Sequence, residues 1–256
     1  MNVVKVMGGL GNQLFQYAFG QAMVNNGTEV TYDLSWFNAM QGCTPRNYHL
    51  DKFTISVPAG GFLNQQAIHE TIFESDMLNV TNCNFFGYWQ YPLYHSSITS
   101  RLQDTLKVNK VHHTAKYLWL KLAVTNQEFI ALHVRRGDYL TTRGFRVLPL
   151  NYYLEAIQHF PQMPILVFSD DIPWCEQHIK SAYFGREIVF VHLQEEYLAW
   201  DIMRQCKHYV IANSSFSLFA ACMCTNENKI VVYPETWQKD DVINRGEYFD
   251  KKWIAV

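Results

Sequence analysis

Short apolar runs alternate with longer amphipathic stretches along most of this chain. Residues 2–6 (Asn-Val-Val-Lys-Val) read as a strand and 8–12 (Gly-Gly-Leu-Gly-Asn) as a loop. Residues 13–25 read as a helix: Leu14, Tyr17, Ala18 and Gln21 fall on one face, with Phe15, Phe19, Ala22 and Met23 beside it. Residues 29–33 form a second strand candidate, so the chain opens on a βαβ unit. The stretch 38–110 is less regular. It is interrupted by Gly42, Pro45, Pro58, Gly60 and Gly61 and carries an aromatic run over 85–94. A domain division is placed after it, giving 1–115 and 116–256.

The second half has strand candidates at 128–134, 164–169, 187–192, 207–212 and 229–233. Helix candidates lie between them, near 150–160, 174–183, 195–205 and 215–224. The strands are continuously apolar rather than alternating, which predicts a parallel sheet covered on both faces and an α/β fold.

Polar residues then fall at the carboxyl ends of three of these strands. His133-Val134 runs into Arg135-Arg136-Gly137-Asp138, Phe168 into Ser169-Asp170-Asp171, and Ala212 into Asn213-Ser214-Ser215. Open α/β sheets bind ligands at that edge, near the point where strand order reverses. Each cluster has two readings on its own. Arg135 and Arg136 either hold a diphosphate by paired hydrogen bonds, or form ion pairs with Asp138 or cap a helix carboxyl end. Ser169, Asp170 and Asp171 either contact a ribose or base or cap the helix that starts near Pro173. Divalent metal binding by the two Asp is disfavoured, because adjacent side chains diverge. Asn213, Ser214, Ser215 and Phe216 either form an anion site at a helix N-terminus or serve as ordinary caps.

Gly8-Gly9-Leu10-Gly11-Asn12-Gln13 follows the first strand. It is not Gly-x-Gly-x-x-Gly, since Leu14 stands where the last Gly would be, and it lacks the Lys-Ser/Thr of a P-loop. It is either a tight turn or a close backbone approach to a ligand. Gly87-Tyr88-Trp89-Gln90 suits a core strand better than a sugar platform, and His112-His113 suit the surface better than a metal.

Composition narrows the classes. The net charge is −2, so no basic face for nucleic acid is expected. The six Cys (43, 83, 175, 206, 222 and 224) form no Cys-x-x-Cys pair and read as free thiols of a reducing compartment. No signal peptide and no apolar run long enough to span a membrane is visible. The expectation is a cytoplasmic protein, with peripheral association at the inner membrane left open.

Taken in order, residues 8–20 (Gly-Gly-Leu-Gly-Asn-Gln-Leu-Phe-Gln-Tyr-Ala-Phe-Gly), 87–90, 133–139 (His-Val-Arg-Arg-Gly-Asp-Tyr), 168–171, 211–217 and 234–237 resemble the α-1,2-fucosyltransferases of glycosyltransferase family 11, bacterial type. Members commonly carry Trp-Trp where this chain has Leu218-Phe219. The resemblance implies a GT-B-type fold of two Rossmann-like domains facing each other across a cleft, acceptor side first and GDP-sugar side second. It implies inverting transfer of L-fucose from GDP-β-L-fucose, as co-substrate, to O2 of a galactose-containing glycan, with no cofactor and no metal. On the matching positions it implies Arg135 at the β-phosphate, assisted by Arg136. It gives Ser214, Ser215, Phe216 and Asn213 to the diphosphate, and Ser169, Asp170, Asp171 and His133 to the nucleotide. Asn12 lies near the reacting centre, Gly9 and Gly11 join the donor-binding residues, and Asp138 is either general base or a partner of Arg135. The competing expectations are transfer of another nucleotide sugar or linkage, a non-catalytic nucleotide- or glycan-binding protein, and a metal-dependent hydrolase built on Asp170 and Asp171.

Overall fold

Val3 and Val4 have no exposed surface, and they make β1 (Asn2–Lys5) an inner strand. This computed structural model describes residues 1–39, 44–182, 185–237 and 248–256. The chain divides into two compact units, Met1–Asn109 with Arg245–Phe249 and Lys110–Asn244 with Asp250–Val256. The change of unit thus falls ahead of the 115/116 division read from the sequence.

In the first unit β1 is followed by α1 (Leu10–Asn25), β2 (Val30–Asp33), β3 (Gln66–His69), β4 (Cys83–Phe86) and α2 (Thr99–Thr105). The four strands form one parallel sheet in the order β2-β1-β4-β3. The helix expected at 13–25 starts at Leu10, because Gly9 takes the N-cap position and Leu10 is drawn into the core. Two of its glutamines are fully buried, and each is satisfied. Gln13 donates to the Gly8 and Asn47 carbonyls and accepts from the His49 N–H. Gln16 accepts from the Met7 N–H and donates to the Gly87 carbonyl. Buried amides need such partners, so these two residues of the opening motif hold the fold together.

The aromatic run 85–94 enters the core, but only its start is strand. Phe85 lies in β4, and Trp89 stacks flat on Phe19 at 4.1 Å from a turn beyond the strand.

The second unit begins with α3 (Ala115–Asn126), which periodicity did not mark. Then come β5 (Ile130–Val134), α4 (Leu150–Ala156), β6 (Ile165–Ser169), α5 (Ile172–Ala182), β7 (Ile188–Phe190), α6 (Glu196–Met203), β8 (His208–Val210), α7 (Ser215–Cys222), β9 (Val231–Tyr233) and β10 (Ile254–Ala255). All six strands run parallel in the order β10-β9-β8-β5-β6-β7. Ile130, Leu132 and Val134 of β5 and Ile165 and Val167 of β6 are completely buried, as continuous apolar strands require. The strand order reverses at β5: β6 and β7 extend to one side, β8 and β9 to the other. Among the described cysteines, Cys83, Cys175, Cys206 and Cys224 are buried free thiols and Cys222 is partly covered. Cys43 lies outside the described residues.

Candidate functional site

Parallel pairing of β5 with β6 on one side and β8 on the other sets the three polar strand ends next to one another at the reversal point. Val134 is the last buried residue of β5, and Arg135 turns out at its end. Arg135 Nη2 donates to Asp138 Oδ1 at 2.5 Å, and Nη1 lies 3.0 Å from Asp170 Oδ2. Its guanidinium also sits 5.3 Å from the Tyr139 ring centroid. Burial opposes the charge, but Asp170 and Asp138 outweigh it and hold the Arg135 pKa above its ordinary value. Arg135 Nε is buried and has no hydrogen-bond partner among the described residues.

Arg136 is held separately. Its Nε donates to Asp171 Oδ2 at 3.0 Å, and its guanidinium lies over Trp174 at 4.2 Å, a geometry that adds cation–π attraction. The Arg136 backbone N–H donates to Asp170 Oδ1 at 2.9 Å. Gly137 packs so close to this carboxylate that a Cβ there would collide with it. Asp171 Oδ1 accepts the Trp174 N–H at 3.1 Å, and Ser169 Oγ accepts the Asp171 N–H at 2.9 Å. Both aspartates therefore anchor the arginines, and Asp171 caps α5 as well.

His133 is buried under this layer, its Nδ1 2.8 Å from Ser217 Oγ. Burial, with the nearby Arg135 charge, pushes its pKa down to about 3, so the ring is neutral at ordinary pH. Ser214 caps α7 and accepts the Phe216 N–H. Asn213 donates to the Arg146 and Trp237 carbonyls, at 2.9 and 3.0 Å. Its Oδ1 is buried with no partner among the described residues. Tyr139 donates its hydroxyl to the Asn213 carbonyl at 2.9 Å and stacks on Phe145, linking the segments after β5 and β8.

In the first unit Asn12 sits in the first turn of α1, whose N-cap Gly9 makes no side-chain hydrogen bond. Gly11 is buried within that turn. Gly8 has φ +82°, and a Cβ there would land on the Asn12 amide. Asn12 Oδ1 accepts from Gln90 Nε2 at 2.7 Å, and Gln90 Oε1 accepts from the Tyr248 hydroxyl at 2.6 Å. The turn that presents Gln90 is tied down by Glu70, whose Oε2 accepts the Tyr88 and Trp89 N–H groups at 2.7 and 2.8 Å. Burial raises the Glu70 pKa against the pull of these N–H groups. Trp89 is held there at φ +54°, in the left-handed region that L side chains avoid.

Ser217, Tyr139 and Gln90 stand in the quoted motifs without a role of their own, and Trp174, Glu70 and Tyr248 were not among the candidates. Trp174 had a local signal, since it follows Asp171 by one helical turn. Glu70 had none, being an isolated carboxylate brought in by β3. A cavity of about 270 Å³ lined by residues such as Val124, Arg204, Lys207 and Cys224 lies at the amino ends of β5 and β8, at the opposite edge of the six-stranded sheet from the three polar strand ends. No group of three or more His, Cys, Asp or Glu among the described residues is placed to hold a metal.

The sequence model described as "Glycosyl transferase family 11" matches residues 66–256. An Escherichia coli protein named alpha-1,2-colitosyltransferase is 26% identical over 291 aligned positions, covering 99% of this chain and 98% of that one. The Escherichia coli O-antigen biosynthesis glycosyltransferase WbnK is 28% identical over 306 positions, covering 97% and 98%. Among solved structures, NodZ alpha-1,6-fucosyltransferase soaked with GDP-fucose superimposes with a TM-score of 0.53 at 11% identity, covering 87% of this chain and 91% of that one. At that identity the likeness bears on the fold, which is the GT-B-type α/β fold expected above.

Proposed function

This chain belongs to glycosyl transferase family 11, and from that membership we propose that it moves L-fucose from GDP-β-L-fucose to O2 of a terminal galactose-type residue of a glycan, with inversion. The observation that carries this reading is the pair of anchored arginines at the reversal point of the six-stranded sheet, beside the N-terminus of α7.

Transfer breaks the bond between the anomeric carbon and the β-phosphate oxygen while the acceptor hydroxyl oxygen bonds to that carbon from the opposite face and gives up its proton to solvent. Negative charge grows on the departing GDP. Arg135 meets that charge, and its two carboxylate partners keep the guanidinium charged and aimed before the reaction starts. Arg135, Arg136, Asp138, Asp170 and Asp171 together sum to −1, so the arginines alone do not make an anion site. The first turn of α7 adds N–H groups and roughly half a positive charge, and Ser214 and Ser215 add hydroxyl donors. Arg135 Nε and Asn213 Oδ1, both buried and without a hydrogen-bond partner among the described residues, are further groups a nucleotide would satisfy.

In this account Asp170 and Asp171 act through the arginines, and Asp138 orients Arg135. Neutral His133, with Nδ1 engaged by Ser217, offers Nε2 to the nucleotide, and Ser169 shapes the same edge. Asn12, held by Gln90, serves the acceptor side with the Gly9–Gly11 turn. No metal enters the scheme, because guanidinium and N–H donors meet the diphosphate charge. A second reading keeps the linkage and changes the sugar to colitose, as the name of the 26% identical relative suggests. Competition binding tests the nucleotide: GDP displaces a fluorescent GDP analogue at least tenfold better than UDP or ADP. Equal or better displacement by UDP contradicts the reading.

A further inference from the structure

Helix α3 is apolar on both of its faces, and only one of them is covered. Tyr117 and Leu120 are buried, and the Tyr117 hydroxyl donates to Asp201 at 2.5 Å, pinning that face to α6. On the other side Leu118, Trp119 and Leu122 are 50%, 59% and 61% exposed, and Val111 in the turn before the helix is 80% exposed. At 100° per residue, Leu118, Leu122, Ala115 and Trp119 form one stripe opposite Tyr117 and Leu120. A helix apolar all round is normally buried, and an apolar patch of this kind marks a contact surface.

We propose that this outward stripe of α3 docks on a bilayer of anionic phospholipid. The charge around it supports that occupant. Residues 110–127 carry Lys110, Lys116 and Lys121 and no Asp or Glu, in a chain of net charge −2. Lys116 flanks the stripe on one side and Lys121 on the other, Lys121 sharing its charge with Asp201 at 3.3 Å. Apolar side chains with a Trp at one edge and lysines along both margins match the layering of a membrane interface, where indole sits at headgroup depth and lysines reach the phosphates.

A second copy of the chain fits less well. The stripe is a handful of side chains on one short helix, against the roughly 20–30 residues a side of a stable dimer. Two-fold pairing would also bring the lysine margins together. This surface is argued from α3 alone and stands or falls independently of the transfer reaction.

The test is co-sedimentation of the purified full chain with large unilamellar vesicles, either phosphatidylglycerol mixed with phosphatidylcholine or phosphatidylcholine alone. The chain sediments with the anionic vesicles, and less so as salt is raised. Trp119→Ser lowers the partition coefficient roughly tenfold or more. Lys116→Gln lowers it about fivefold, the weight of one lysine at an anionic surface. Both side chains face solvent, so both variants keep the wild-type melting temperature. The proposal is overturned if wild type ignores anionic vesicles, binds both kinds equally, or is matched by both variants. It is equally overturned by a concentration-dependent dimer that Trp119→Ser dissolves while vesicles bind nothing.

Discussion

His133 is a buried ring whose pKa burial and the Arg135 charge hold at about 3. In the unfolded chain the same imidazole takes up a proton near pH 6.5. Between these values the unfolded state binds the extra proton, so stability falls as pH falls, by about 1.4 kcal/mol per pH unit. From pH 7 to pH 5 this one site costs about 2 kcal/mol. Urea unfolding of wild type and His133→Gln at both pH values measures it: the variant loses about 2 kcal/mol less over that interval. Equal losses would mean that His133 protonates within the fold. The residue was legible in the sequence as part of a polar strand end, but its neutrality was not, because that depends on burial and on the nearby Arg135 side chain. The roles of Asp170 and Asp171 were equally hidden. A pair of adjacent aspartates after a strand suits a cap, a sugar contact or an arginine anchor, and only the structure shows both paired with arginines and Asp171 capping α5 as well.

Elements were legible where the chain alternates short apolar runs with helices, hence the six-stranded sheet apart from β10. β3 and α3 were not. β3 (Gln-Ala-Ile-His) is a mostly exposed edge strand with one partly covered apolar residue, too little for a periodic signal. α3 has apolar residues on both sides, which erases the helical period. Its inward face is tied to α6 by Asp201, which accepts from Tyr117 and pairs with Lys121 and Arg204, the latter at 2.8 Å. Burial would raise the Asp201 pKa, but Arg204, Tyr117 and Lys121 together lower it. A carboxylate depressed in the folded state stabilises above its unfolded pKa of about 3.9, and that stability is lost as pH falls through the folded value. Asp201→Asn leaves Arg204, 10% exposed, without its partner. The expected loss is about 3 kcal/mol at pH 7, read from chemical denaturation. It shrinks below pH 4 as wild type loses the same interaction. A loss under 1 kcal/mol at pH 7 would show that α3 and α6 are held by packing alone.

At the scale of the molecule, two parallel-sheet units carry two different polar sites. The second holds two anchored arginines beside a helix N-terminus, the groups to which the proposed function gives the departing diphosphate. The first holds Asn12 in a chain of amides and a hydroxyl reaching Tyr248. Motif order across the chain made the family legible, and membership in glycosyl transferase family 11 agrees with it. The scaffold around Asn12 was illegible, because Glu70, Gln90 and Tyr248 come together only through tertiary contacts. The most direct test is incubation of the purified chain with GDP-fucose and a panel of β-galactosides, with the product linkage determined, for wild type and Arg135→Ala. The account predicts fucose on O2 of galactose for wild type, formed equally in EDTA, and turnover about 10²–10³-fold lower for Arg135→Ala. Transfer from a different nucleotide sugar only, or an Arg135→Ala protein as active as wild type, would contradict it.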